Sequence, residues 1–298
     1  MNPAMESTPS IDYESYPALF QAADAASSRG QRTYLRAVRA RLILSVLAAA
    51  SAAVTLRVGA ADIAAVSTAL LFVSALATGM FILHNRPDKA WYAGRALAES
   101  VKTLTWRYTV GGAPFPRSLT ATEANRRFID RLDALRAEIA AVHILPSAGS
   151  MISDRMRELR SAPLKERRKI YLFGRIHDQQ VWYSGKAQYH RRRSGVYQVV
   201  MLCLEVVGIG GALVKAFGFV SFDLAGIIAA CIAAFAAWTA TRQHATTANA
   251  YIVASHELGA IWERLREDTD ENSWAGAVAD AEAAISREHS TWRASHGE

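Results

Sequence analysis

The sequence predicts an all-α integral membrane protein made of two transmembrane helical hairpins, four spans in all, with helical extensions in the cytoplasm. Three observations predict it. Apolar residues gather into four runs and charges into blocks between them, although the chain as a whole is 51% hydrophobic and 20% charged. Proline is scarce, at 8 of 298 residues, while Ala, Leu and Arg abound, which favours helix over sheet. Basic residues flank one side of each pair of runs, as topology signals do.

The first run, Leu42 to Leu56, carries no charge and is bracketed by Arg41 and Arg57. It is short for a hydrocarbon core of roughly 30 Å at about 1.5 Å per helical residue. Its arginines can snorkel and extend the effective span. The second run, Ile63 to Leu83, is long enough to cross alone. Only residues 57–62 join the two, so they must run antiparallel. The third run, Val196 to Val214, is interrupted by Glu205, and the fourth, Leu224 to Ala240, follows a tight connection from Lys215 to Asp223. A core helix of a soluble bundle shows a polar face at every turn, and none of these runs has one. The predicted spans are therefore about 42–56, 63–83, 196–214 and 224–240.

Orientation follows from charge. Arg29, Arg32, Arg36, Arg39 and Arg41 precede the first span, and Arg86, Lys89 and Arg95 follow the second. Lys186 and Arg191–Arg193 precede the third, and Arg242 follows the fourth, whereas each outer turn holds one base and one acid. Positive flanks stay inside, so both termini and the central region are expected in the cytoplasm. The polar first forty residues, with no apolar core before a cleavage site, agree with this. A formal charge of +7 raises the question of nucleic acid. No recognised motif or interleaved aromatic surface supports such a partner, and anionic lipid accounts for the arginines. Cys203 and Cys231 both lie inside apolar runs and read as buried thiols rather than a disulfide framework.

The segments between the spans read as helix. Thr120 with Glu123 makes a capping box, and Phe128, Leu132, Leu135, Ile139 and Val142 form a helical apolar stripe that Leu145-Pro146 ends. Ser161-Ala162-Pro163 signals another start, with helix continuing into the third span and possible bends at Gly174, Gly185 and Gly195. The last 36 residues, from Glu263, hold nine acids and four bases and predict a short acidic helix near Ala277–Glu288 with a frayed end. The organisation repeats, each half having a basic helix, a hairpin and an emerging Trp-bearing helix. Residues 1–146 and 147–298 are the expected units, joined near Pro146 to Ser161.

Several stretches resemble a known family. Arg86-Pro87-Asp88-Lys89-Ala90-Trp91-Tyr92-Ala93-Gly94-Arg95-Ala96-Leu97-Ala98-Glu99-Ser100, with Thr105-Trp106-Arg107-Tyr108, resembles the post-hairpin helix of SLATT proteins, the SMODS- and SLOG-associating two-transmembrane effectors. Residues 171–187, from Tyr171-Leu172-Phe173-Gly174-Arg175 to Tyr183-Ser184-Gly185-Lys186-Ala187, resemble the pre-hairpin helix of a second SLATT type. His256-Glu257-Leu258-Gly259-Ala260-Ile261-Trp262 resembles the helix after its hairpin. The resemblance spans roughly Tyr34 to Leu265 as two tandem units. It implies a pore-forming effector of a bacterial anti-phage conflict system in the cytoplasmic (inner) membrane. A nucleotide-producing or nucleotide-sensing partner, a small ligand at the cytoplasmic helices, or a change of assembly would trigger it.

Glu205 is the first candidate for a pore or gating group, because an acid at the centre of a span costs roughly 2.5–3.5 kcal/mol and should face protein or water. The competing reading is a protonated acid bonded to a neighbouring span, for example at Thr239. Ser67, Ser74 and Thr78 share one side of the second span and either line a wet path or bond back to their own helix. The ladders Ala229, Ala233, Ala237 and Gly226, Ala230, Ala234, with Gly208, Gly210 and Gly211, allow close helix approach. Candidates for a cytoplasmic interface are Trp91, Arg95, Glu99, Trp106, Arg175, Asp178, Gln179, Trp182, Tyr183, Lys186, Glu257 and Trp262. The plainer reading of the middle group is an amphipathic helix in which Arg175 and Asp178 pair at i, i+3.

Enzyme, cofactor and metal signals are missing: His256-Glu257-Leu258-Gly259-Ala260 lacks a zincin's second histidine, and Gly208-Ile209-Gly210-Gly211 follows no strand. Four spans are too few to enclose a wide aqueous path, so conduction requires a homo-oligomer. The alternative to a pore is a membrane-anchored adaptor that docks a cytoplasmic signalling partner.

Overall fold

The computed structural model describes residues 11–138, 149–267 and 270–296. The expectations for Ile139, Val142 and the Leu145-Pro146 stop lie outside the described residues. Ten α-helices follow in order, after a short 3₁₀ turn at Tyr13–Ser15: α1 Ala18–Ala52, α2 Ile63–Asn85, α3 Pro87–Val110, α4 Ala121–Glu138, α5 Asp154–Ser161, α6 Leu164–Tyr171, α7 Asp178–Ala216, α8 Leu224–Arg242, α9 His244–Arg266 and α10 Glu271–His296. A π-helical turn, Leu172–His177, joins α6 to α7, and a two-residue ribbon, β1 Arg57–Val58 with β2 Ala61–Asp62, joins α1 to α2. Among the described residues the chain is all-α apart from that ribbon.

Two compact units emerge, and each draws on both halves of the sequence. The polar unit takes the chain up to Gln31, Lys89–Ala187 and Asn249 onward; the apolar unit takes Arg32–Asp88 and Gln188–Ala248.

The core of the polar unit is aromatic. Trp106, Tyr108, Phe115, Phe128, Tyr171, Tyr183 and Trp274 are buried with Leu97, Met156 and Ile170. Half of the expected capping box forms: Glu123 N donates to Thr120 Oγ1 at 3.2 Å ahead of α4, while the Glu123 carboxylate pairs with Arg127 at 2.7 Å, and Phe128 and Leu132 point into the core. At the C-terminus of α3 the orphan carbonyls need partners. Two buried arginines supply them: Arg160 donates to Tyr108 O and Phe115 O at 2.8 Å each, and Arg167 donates to Val110 O at 2.5 Å. Cations at a helix C-terminus also match the sign of its dipole. Trp274 of α10 donates to the same Val110 O at 2.7 Å. The C-terminal helix is longer than the expected 277–288. It is a 26-residue helix from Glu271 whose Trp274, Val278, Ala281 and Ile285 are buried. Its acids misled the sequence reading, because one of them, Glu282, is itself fully buried.

In the apolar unit, α1 with α2 and α7 with α8 form two tight hairpins. Asp62 caps α2 by accepting from Ala64 N and Ala65 N, and Gly59, at φ +63°, closes the ribbon. In the second hairpin Gly218 (φ +77°) reverses the chain and Lys215 pairs with Asp223 at 2.8 Å. Gly208 and Gly211 let α7 approach α8 closely, since a Cβ there would meet Ile228 at 3.3 Å and Leu224 at 3.2 Å. The second helix of each hairpin ends alike: Arg86 (φ 42°) and Gln243 (φ 44°) are left-handed caps that donate to Ile82 O and Thr239 O, and a new helix starts at the next residue. The same joint therefore follows each hairpin. Gly185 and Gly195 leave α7 unbroken, while Gly174 falls inside the π turn.

Among the described residues three helical stretches, Ile63–Val110, Leu164–Ala216 and Leu224–Arg266, contain a segment long and apolar enough to cross a membrane. The run at 42–56 is not among them. Helix α1 ends at Ala52, so the uncharged part of the helix, residues 42–52, covers only about 16 Å.

Candidate functional site

The apolar helices are built inside out relative to a water-soluble bundle. Only 6% of each apolar window is buried within the protein. Leu70, Val73 and Leu76 on α2, and Leu202, Val206 and Ile209 on α7, all point outward. Glu205 lies among them and is exposed, on the flank away from the inward series Tyr197, Met201, Leu204, Gly208 and Gly211. The expected partner Thr239 does not reach it; its hydroxyl donates to Ala236 O at 2.8 Å. The antiparallel register explains this. Trp238 is level with Tyr197, to which it donates at 3.2 Å, so Thr239 sits about 12 Å along the axis from Glu205.

Ser74 and Thr78 donate to Leu70 O at 2.9 Å and Ser74 O at 2.8 Å, bonding back onto their own helix. Ser67 is half-buried on α2 near the turn. Of the small-residue ladders, Ala229, Ala233 and Ala237 face outward, whereas Ala230 and Ala234 are half-buried.

The candidates on the polar unit separate into two groups. Trp106 is a core residue, donating to Tyr16 Oη at 2.9 Å and meeting Tyr171 edge-on. Arg175, Gln179 and Tyr183 point inward; Asp178, Trp182, Lys186 and Glu257 are exposed. They do not form one face. The π turn winds more residues per turn than an α-helix, which keeps Tyr171, Arg175, Gln179 and Tyr183, spaced by four, on the buried side. Trp182 and Tyr183 both pack on Tyr251 of α9, and Lys186 lies over the Trp182 ring at 5.7 Å. Trp262 packs on Phe173 and His177. Trp91 stacks on Tyr92, and Arg95 and Glu99 are half-buried on the same helix.

The expected Arg175–Asp178 pair is not formed. Arg175 instead makes a two-pronged bridge to Glu282, Nε to Oε1 at 2.9 Å and Nη2 to Oε2 at 2.8 Å. Tyr171 Oη and Thr103 Oγ1 donate to the same carboxylate at 3.0 and 2.9 Å. Burial alone would lower the Arg175 pKa, but Glu282 overrides it and holds the guanidinium charged. Burial raises the Tyr171 hydroxyl well above its usual range, with Glu282 adding to the effect. Burial, then Arg175, pushes Lys102 down. Arg175 Nη1 is buried with no hydrogen bond among the described residues. Sequence reasoning missed Glu282, Arg160 and Arg167, since nothing local distinguishes them from solvated charges.

At the base of the apolar unit, His190 and His244 meet ring to ring, Nδ1 to Nδ1 at 2.8 Å. Burial, then the neighbouring His190 and Arg242, lowers the His244 pKa to about 4.

Paired helical hairpins with outward apolar faces, joined to a packed helical unit of their own chain, define a class of hairpin membrane-type α-helical proteins. The chain belongs to the SLATT family, as a tandem: residues 17–168 match SMODS and SLOG-associating 2TM effector domain 3, and residues 171–292 match SMODS and SLOG-associating 2TM effector domain 1. No curated protein and no solved structure matches it significantly.

Proposed function

We propose that this chain is a non-enzymatic effector of a bacterial anti-phage system that permeabilises the inner membrane as a homo-oligomer. The observation that carries the reading is Glu205, exposed halfway along an apolar helix between Leu202, Val206 and Ile209. In lipid an ionisable group in that position costs several kcal/mol unless it faces water or another protein surface. Among the described residues of one copy it faces neither, so a second copy or a shared aqueous path must supply the missing surroundings. The outward ladder Ala229, Ala233, Ala237 supports the same assembly, because small residues let helices of adjacent copies approach.

In this reading α1 joins α2, α7 and α8 as a fourth span with a shorter apolar run, with Arg41 and Arg57 reaching its two interfaces. Both termini and the polar unit are cytoplasmic, where a nucleotide-sensing or nucleotide-producing partner would act on the exposed residues Asp178, Trp182, Lys186 and Glu257. Exposed Phe217 and Phe219, at the turn of the second hairpin, suit the far headgroup layer.

The test is dye release from liposomes loaded with purified protein, compared between the native chain and Glu205→Gln and Glu205→Leu. We expect release by the native chain, weaker release by Glu205→Gln and little by Glu205→Leu, with all three equally inserted. Equal release by all three, or none from an inserted and activated native chain, would turn the reading toward a docking adaptor.

A further inference from the structure

The apolar unit contains an open cleft of about 440 Å³ between α1, α7 and α8. From its geometry we infer that it holds one acyl chain of an anionic phospholipid, with the phosphate at Arg39 and Arg242. The inference rests on the reading that this unit lies in a bilayer.

The two ends of the cleft differ in chemistry. Leu47, Leu204, Cys231, Ala234 and Phe235 line the deep part, and none offers a charge. At the mouth, Trp238 donates to Tyr197 Oη at 3.2 Å, and the guanidinium of Arg39 lies over its ring at 5.0 Å. Arg242 approaches the same ring at 5.8 Å. Two cations and an indole at one end of an apolar groove match an amphiphile with a negative head and a hydrocarbon tail. Arg and Trp are also the side chains that settle at the headgroup level.

The length of the groove suits an acyl chain. From Arg39 to Leu47 the groove follows α1 for about 12 Å, most of one leaflet's share of a core of roughly 30 Å. Small side chains at Cys231 and Ala234 make the groove, so a larger side chain there closes it.

The test uses the full chain in lipid nanodiscs of phosphatidylcholine doped with a photoactivatable phospholipid. The probe carries a diazirine on one acyl chain and either a glycerol or a choline headgroup. After illumination the labelled peptides are mapped by mass spectrometry, with outward Leu70 and Val206 as controls for ordinary lipid contact. We expect label concentrated at residues 42–47 and 231–235 and favouring the phosphatidylglycerol probe. Arg39→Gln should weaken that preference about fivefold, and Arg39→Gln with Arg242→Gln about 25-fold, on the scale of a basic side chain at an anionic surface. Ala234→Phe should erase the cleft label while sparing Leu70 and Val206, which separates a filled groove from a misfolded protein. Even labelling around the bundle, equal capture of both probes, or cleft label that survives Ala234→Phe overturns the proposal. So does disulfide capture of a second copy through Leu47→Cys. A chain that fails to co-migrate with the discs refutes the bilayer reading itself, a result distinct from an inserted chain with an unlabelled cleft.

Discussion

With Arg175 and Glu282 both out of water, removing one partner leaves the other as an uncompensated buried charge. Glu282→Gln should lower the stability of the polar unit by about 3–5 kcal/mol, read as a fall in its thermal unfolding midpoint in detergent. Replacing both residues by apolar ones of similar volume should restore most of the loss, because the desolvation cost then disappears. His244 makes a separate pH prediction. Its folded pKa of about 4 lies below the unfolded value of about 6.5. Between those values the unfolded chain binds the extra proton, so the contribution is complete above the unfolded pKa and is lost as pH falls toward 4. Thermal melts of the native chain should therefore drop across this window, and those of His244→Asn should drop less. Neither pair was legible in the sequence. Rules for i, i+3 and i, i+4 neighbours offered Asp178 to Arg175, whereas its partner is 107 positions away.

At the level of elements, the joints after the two hairpins hold side chains in the left-handed region, where a Cβ costs roughly 1–2 kcal/mol. Gln243→Gly should relieve that strain and raise stability by about 1 kcal/mol, measured by thermal or denaturant unfolding. Gly94→Val should do the opposite at the crossing of α1 and α3. A Cβ at Gly94 would sit 2.8 Å from Ser27 N and 2.9 Å from Ala23 O, backbone atoms that cannot step aside. A loss of about 1–3 kcal/mol is expected, as for other overpacked sites. Hairpins, tight turns and the Thr120 cap were readable because each is encoded over a few neighbouring residues. Two features were not. The π turn at Leu172–His177 changes which residues share a face, and no local pattern announced it. Helix α10 looked solvated because its acids outnumber its bases, yet Trp274 and Val278 bury it against the end of α3.

Across the whole molecule, family matches divide the chain near residue 170, but the packing does not. Val110 accepts from Arg167 and from Trp274, and Thr103 reaches Glu282, so the polar core is shared between the first matched segment and the second. The apolar unit is shared too, through Arg39 against Trp238. Expressed alone, residues 1–169 or 170–298 should aggregate or be degraded. Produced together as separate chains, they should co-purify; two independently soluble, folded halves would contradict the shared core. The arrangement of two repeats was evident from order and spacing, whereas their interleaving depends on contacts between residues more than a hundred positions apart.

Interleaving also fixes how assembly responds to dilution. Because a covalent link holds the halves at a high effective concentration, the first joining step is unimolecular and proceeds equally well at one molecule per cell or thousands. In the proposed homo-oligomer, only the meeting of whole chains then depends on abundance, which leaves copy number as the variable that expression control can set.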